Sequence, residues 1–171
     1  TMVDARAAGV MFTLNPVNGD ESKVAMEGSF GFGEAVVSGN VTPDRYLVDK
    51  ITLEIDEKII SHKSHEFVLN PETNEMEYRE LPPEKRKVQC LEDREVIELT
   101  KIAKKVEAHF GVPQDLEFSI SASLPFPDNI FLVQARPESV WGKKKKESVL
   151  GRKSGFDLLM ERATTPIKVK I

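Results

Sequence analysis

Two strand-like segments near residues 115 and 135 hold the side chains best suited to chemistry. In the segment 114–120, alternation places Asp115, Glu117 and Ser119 on one face and Leu116, Phe118 and Ile120 on the other. In the segment 130–136, Phe131, Val133 and Ala135 share one face, and Ile130, Leu132, Gln134 and Arg136 share its opposite. If the two pair as a hairpin with their apolar sets buried together, Asp115, Glu117, Gln134 and Arg136 converge on one surface. Carboxylate and amide oxygens suit a hard cation such as Mg²⁺, which takes few protein ligands and completes its shell with phosphate oxygens and water. A planar guanidinium can grip a phosphate through two parallel hydrogen bonds. Transfer of a phosphoryl group asks mainly for positioning and charge neutralisation, which this set could provide. The same pattern also fits a surface hairpin with an exposed Glu117–Arg136 ion pair. Spacing by itself favours that plainer arrangement, since alternating polar strands are common.

The rest of the chain must position this hairpin. Short apolar runs at 9–13, 23–27 and 46–49, separated by turn-rich stretches such as Asn15-Pro16-Val17-Asn18-Gly19-Asp20, read as strands. Between the second and third lies a glycine-spaced loop, residues 28–34, that reads as a tight turn opening a short helical turn. Residues 52–81 read as a small strand-rich excursion, with β-favouring pieces at Ile59-Ile60 and Phe67-Val68-Leu69 and a stop at Pro82-Pro83. Residues 91–110 then become helical: Leu99, Ile102, Ala103, Val106 and Phe110 form an apolar stripe, and Gly111 and Pro113 end it. The predicted hairpin follows at once, closed by a proline-rich connection over 124–129.

Composition narrows the function classes. A net charge of -4 and a pI near 5.5 argue against a general nucleic-acid binder, which needs a broad basic footprint. No window is long and apolar enough to span a membrane. The 40% hydrophobic and 30% charged content indicates a folded domain. The single cysteine, Cys90, excludes an internal disulfide, fits a cytoplasmic setting, and reads as structural. The amino terminus carries no secretion signal and reads as an internal start.

Five segments together resemble the phosphoenolpyruvate synthase and pyruvate phosphate dikinase family. They are Gly9-Val10-Met11-Phe12-Thr13-Leu14-Asn15-Pro16, Gly31-Phe32-Gly33-Glu34-Ala35-Val36-Val37-Ser38-Gly39, Val41-Thr42-Pro43-Asp44-Arg45-Tyr46, Asp115-Leu116-Glu117-Phe118 and Leu132-Val133-Gln134-Ala135-Arg136-Pro137-Glu138. The same order is similar to that of rifampicin phosphotransferases and of phenylphosphate synthase subunits. The resemblance covers residues 5–140 and implies an α+β fold: the carboxyl-terminal lobe of an ATP-grasp domain, with a mixed or antiparallel sheet and packed helices. It implies ATP and Mg²⁺ as ligands. Glu117 and Gln134 are expected at the metal and phosphate end of the nucleotide, and Arg136 as the catalytic contact to the transferring phosphates. Asp115 matches an acidic position near the same site, with its role left open. The glycines of 31–39 read as a structural turn rather than a phosphate cradle, because no Lys-Ser/Thr pair follows them.

The family pattern also implies partners outside the segment: an amino-terminal ATP-grasp lobe and a histidine-bearing domain or subunit that relays the phosphoryl group to pyruvate or a similar acceptor. None of His62, His65 and His109 suits that carrier role. The His62 and His65 pair has a spacing that metals use but no evident third ligand, and His109 near a helix end suits the helix dipole. The expected division is a partial nucleotide-binding domain over 1–141 and a basic linker and tail over 142–171. The block 143–146 reads as a solvated linker; 155–162 resembles a closing helix, and the tail fits either a linker cut short or, by a slight margin, the natural end of a split subunit. The alternative to a dikinase-type phosphotransferase is a non-catalytic nucleotide-sensing or scaffold module that keeps the half-fold.

Overall fold

The computed structural model describes residues 4–70 and 72–139; the basic segment, the closing helix and the boundary expected at 141 lie outside the described residues. The chain runs β1 (Ala5–Phe12), β2 (Lys23–Phe30), α1 (Glu34–Val37), β3 (Asp44–Asp49), β4 (Ile55–Ile59), β5 (His65–Leu69), β6 (Met76–Glu80), α2 (Asp93–Phe110), β7 (Gln114–Ser121) and β8 (Ile130–Pro137). Six strands form one sheet in the order β4-β3-β2-β1-β7-β8, and β5 pairs with β6 in a separate two-stranded sheet. Every ladder between these strands is antiparallel. The class is α+β, as the sequence suggests. One boundary differs: residues 52–81 are not a single excursion, because β4 joins the main sheet as an edge strand beside β3. Its DEK centre, flanked by two isoleucines, leaves it mostly exposed, as an edge strand can be.

The helix α2 supplies the core. Val96, Leu99 and Ala103 on its inner face are fully buried against Met11, Met26, Tyr46, Leu116 and Phe118 of the sheet. A fully buried Leu or Phe side chain contributes about 1.5–3 kcal/mol, so this one contact face accounts for much of the fold. Phe110, the last member of the expected stripe, instead stands 54% exposed at the helix end. There Gly111 adopts φ 71°, and its N–H donates to the Glu107 carbonyl at 2.8 Å, the usual left-handed helix stop.

Two buried polar hubs fix how the layers sit. Glu95, in the first turn of α2, accepts Nη2 of Arg6 from β1 through both oxygens, at 2.6 and 2.7 Å, the Asn129 side-chain amide at 2.8 Å and the Glu92 N–H at 2.9 Å. Helix, central strand and the β7–β8 connection are thereby tied at one carboxylate. The second hub is Asp44, which opens β3 with its side chain fully buried against that of Lys63, also fully buried. Asp44 accepts the Lys63 ammonium and the Ser61 N–H through Oδ1, and the Cys90 N–H through Oδ2. A buried pair needs such additional bonds to offset its desolvation.

The small sheet is fastened to the glycine loop. Gly31 bridges Phe67 in parallel fashion, and the Phe32 N–H donates to the Phe67 carbonyl at 2.8 Å. Gly31 sits at φ 81°, and a Cβ there would lie 2.2 Å from the Phe67 carbonyl oxygen, so only glycine fits both the angle and the approach. The backbone amides of Gly31 and Phe32 are thus engaged in the fold, in line with the structural-turn reading of this loop.

Candidate functional site

The two faces of the six-stranded sheet differ in what covers them. One lies under α2. The other turns away from it and carries two cross-strand rows, Gln134–Glu117–Val10–Glu27–Arg45 and Arg136–Asp115–Phe12–Ala25–Leu47. The four polar residues expected to converge therefore do so: Asp115 faces Arg136, and Glu117 faces Gln134, as directly opposed ladder pairs. Opposed residues in an antiparallel ladder bring their Cβ atoms to about 4.5–5.5 Å.

They converge by a route that alternation does not give. The ladder pairs Phe118 with Leu132 but Glu117 with Gln134, so Val133 is an extra residue, a β-bulge. In unbroken alternation Ile130 and Leu132 would share a face with Gln134 and Arg136. The bulge separates them: Ile130 and Leu132 lie opposite the core residues Ile120 and Phe118, while Gln134 and Arg136 turn to the open face. Phe131 moves the other way and stands opposite Ser119. The sequence-based grouping of β8 is corrected accordingly. Val133 itself is 61% exposed.

The expected ion pair is corrected as well. Arg136 binds Asp115, not Glu117, through Nε at 2.8 Å to Oδ2. That hydrogen bond first, then the Asp115 charge and the more distant Glu117 charge, raises the Arg136 pKa further above its ordinary value, so the guanidinium stays charged. Its terminal nitrogens form no hydrogen bond among the described residues, and neither do the side chains of Glu117 and Gln134. Asp115 Oδ1 is buried without a partner, which is costly unless a ligand or water satisfies it. Among the described residues no group of three or more His, Cys, Asp or Glu converges as a metal cage. The oxygens on offer are Glu117 and Gln134, a small set of the kind that Mg²⁺ accepts when phosphates and water supply the rest.

Beside Glu117 the open face is hollowed into a cavity of about 540 Å³. Its walls are Phe32 and Val37 from the glycine loop and α1, Met76 from β6, and Val133 from the bulge, with Glu34 and Glu117 as its carboxylates. The bridge at Gly31 that fastens the small sheet to the glycine loop brings Met76 into this wall. Sequence reasoning missed Val133, Met76 and Glu34, and only the hydrophobic Leu132-Val133 pair ahead of Gln134 hinted at a break in alternation.

Other candidates fall elsewhere. Cys90 is fully buried, and burial first, with the Asp44 charge second, pushes its thiol pKa far up, so it is not a nucleophile in the folded chain. His109 lies exposed in the last turn of α2, edge-on to Phe110 at 5.0 Å. His62 and His65 are exposed, the first just before and the second at the start of β5, whose sheet is separate from the one that carries Glu117.

Residues 1–154 match the family model described as pyruvate phosphate dikinase, AMP/ATP-binding domain. A phosphoenolpyruvate synthase of Aeropyrum pernix is 39% identical over 170 residues, covering 86% of this chain and 21% of that relative. A probable phosphoenolpyruvate synthase of Staphylothermus marinus is 40% identical over 172 residues, covering 90% of this chain and 21% of the relative. The phosphoenolpyruvate synthase of Pyrococcus furiosus is 41% identical over 143 residues, covering 80% and 17% respectively. The chain spans about a fifth of the length of these curated relatives. Among the described residues no helix is long and apolar enough to cross a membrane.

Proposed function

The chain belongs to the pyruvate phosphate dikinase AMP/ATP-binding domain family, and from that premise we propose that its open sheet face is one wall of an ATP site. In this reading residues 1–141 form the carboxyl-terminal lobe of an ATP-grasp domain, followed by a linker and tail over 142–171. Glu117 and Gln134 would hold Mg²⁺, which neutralises phosphate charge when bound. Arg136 would contact the transferring phosphates and act as the catalytic residue. The missing partners are an amino-terminal lobe that closes over the nucleotide and a histidine-bearing domain or subunit, which accepts the phosphoryl group and passes it to pyruvate or a similar acceptor. A cytoplasmic location goes with that chemistry.

The observation that carries the proposal is the state of the three side chains. A guanidinium held by one nitrogen, with its fork open, stands beside an unpaired carboxylate and an unpaired amide on the face that also carries the cavity. A purely structural ion pair would be expected to use the guanidinium more fully. Preorganised charge of this kind favours a phosphoryl transition state, because no reorganisation is needed when negative charge develops.

The test uses the complete protein that contains this chain. ATP-dependent histidine phosphorylation is followed in the parent and in Glu117→Ala, Gln134→Ala and Arg136→Ala. All three variants should fold and lose phosphorylation. Retention of parent rates in Glu117→Ala or Arg136→Ala would refute the assignment of the wall.

A further inference from the structure

Away from the nucleotide wall, a second cavity of about 430 Å³ opens between the loop after α1 and the small sheet. Its polar lining is Asn40, Thr42, His62, Ser64, His65 and Tyr78. It contains no carboxylate and no lysine or arginine. The geometry points to a binding site for a phosphate group, either inorganic phosphate or a small phosphate monoester, held by hydroxyl and imidazole donors.

The hydrogen bonds already made within the cavity leave donors facing it. The Asn40 amide donates to both Ser38 Oγ and Tyr78 Oη at 2.9 Å. Because Tyr78 Oη accepts there, its own proton is free to be donated. His65 Nδ1 and Ser64 Oγ are 2.9 Å apart. Whichever donates in that pair, one donor remains: Nε2–H if the serine donates to the ring, the serine proton if the ring donates to the serine. Thr42 and His62 make no hydrogen bond among the described residues. Tyr78 is held in place by the Phe67 ring, 4.7 Å away between centroids, so the hydroxyl is positioned before a ligand arrives.

No carboxylate of the lining opposes an anion. The ionisable groups on the packed elements are matched elsewhere: Lys63 by Asp44, Glu66 by Arg79, and Glu80, which faces His65 across the β5–β6 ladder, by Arg86. Glu77 of β6 accepts from Asn70. His62 and His65 supply the imidazole nitrogens of the lining. Metal binding by the same pair lacks a third ligand among the described residues.

Calorimetric titration of the chain with inorganic phosphate, at constant ionic strength, tests the site. One saturable event is expected. It should weaken by about tenfold or more in His62→Gln/His65→Gln, the loss expected when two imidazole hydrogen-bond partners of the anion are removed. Tyr78→Phe keeps the ring on Phe67 and should weaken binding to a smaller degree. Arg136→Ala should leave the event in place. Both histidines are exposed, and a melting curve confirms that the double variant is folded. A parallel titration with glycerol phosphate separates a monoester from free phosphate. The proposal is overturned by absence of a saturable event, by an equal response to chloride, by an event unaffected in the histidine variant, or by an event lost with Arg136→Ala.

Discussion

Replacing Asp44 by alanine should unfold the chain far more readily than any change on the proposed nucleotide wall. Both Asp44 and Lys63 have fully buried side chains. The substitution leaves the Lys63 ammonium in the interior with the Ser61 carbonyl at 3.1 Å and the Phe30 ring, 5.6 Å from its centroid, as its remaining company. It also strips the Ser61 and Cys90 N–H groups of their acceptor. Removing one partner of a buried ion pair costs about 3–5 kcal/mol. Against a total stability of about 5–15 kcal/mol that is a large share. For a domain of this size it corresponds to a fall in Tm of about 10–20 °C. Thermal and urea unfolding followed by circular dichroism would read it. The decisive comparison is Asp44→Asn/Lys63→Met, which removes both charges and keeps one oxygen acceptor. It should be more stable than Asp44→Ala, because no unpaired charge remains. A cost below about 1 kcal/mol for Asp44→Ala, or a double variant whose cost equals the sum of its singles, would refute the reasoning.

Further outcomes follow from the same geometry. Glu95→Ala should cost about 1–3 kcal/mol in urea unfolding, since the Asn129 amide loses its acceptor in the interior, while Arg6, partly exposed, keeps its bond to the Cys90 carbonyl. Gly31→Ala should release the small sheet from the glycine loop, seen as faster amide exchange across β5 and β6, because its Cβ would collide with the Phe67 carbonyl. Arg136→Lys keeps the charge but loses the planar fork, so in the complete protein it should depress phosphorylation by about tenfold or more while leaving Tm close to the parent value. Stability should also decline in alkali. Burial raises the pKa of the Cys90 thiol above its ordinary 9.0 and that of the Tyr46 phenol above its ordinary 10.0. Below these values both states keep their protons; above them only the unfolded chain releases them, so unfolding gains as pH climbs past 9 and then 10. Tm should therefore fall over that range, and fall less steeply in Cys90→Ala measured against its own neutral-pH value.

Much was written locally. The stripe through Leu99 and Ala103 and the Gly111 stop specify α2, because helix periodicity and a left-handed cap are properties of neighbouring residues. Alternation over 114–120 specifies which face of β7 is polar, and five ordered segments specify the family to which the chain belongs. The sequence also marked Asp115, Glu117, Gln134 and Arg136 as a set.

What brought that set together was tertiary. Gln134 and Arg136 reach the face of Glu117 and Asp115 only because Val133 is left out of the ladder, and a bulge depends on which partner residues the strand finds, not on its own alternation. Arg136 chose Asp115 because register placed that carboxylate opposite it. The pairing of Asp44 with Lys63, 19 positions away, and of Gly31 with Phe67 required segments distant in sequence to be packed before either residue had a role. Periodicity carries information over a few residues. Burial, register and the matching of interior charges are decided only when the whole sheet has assembled.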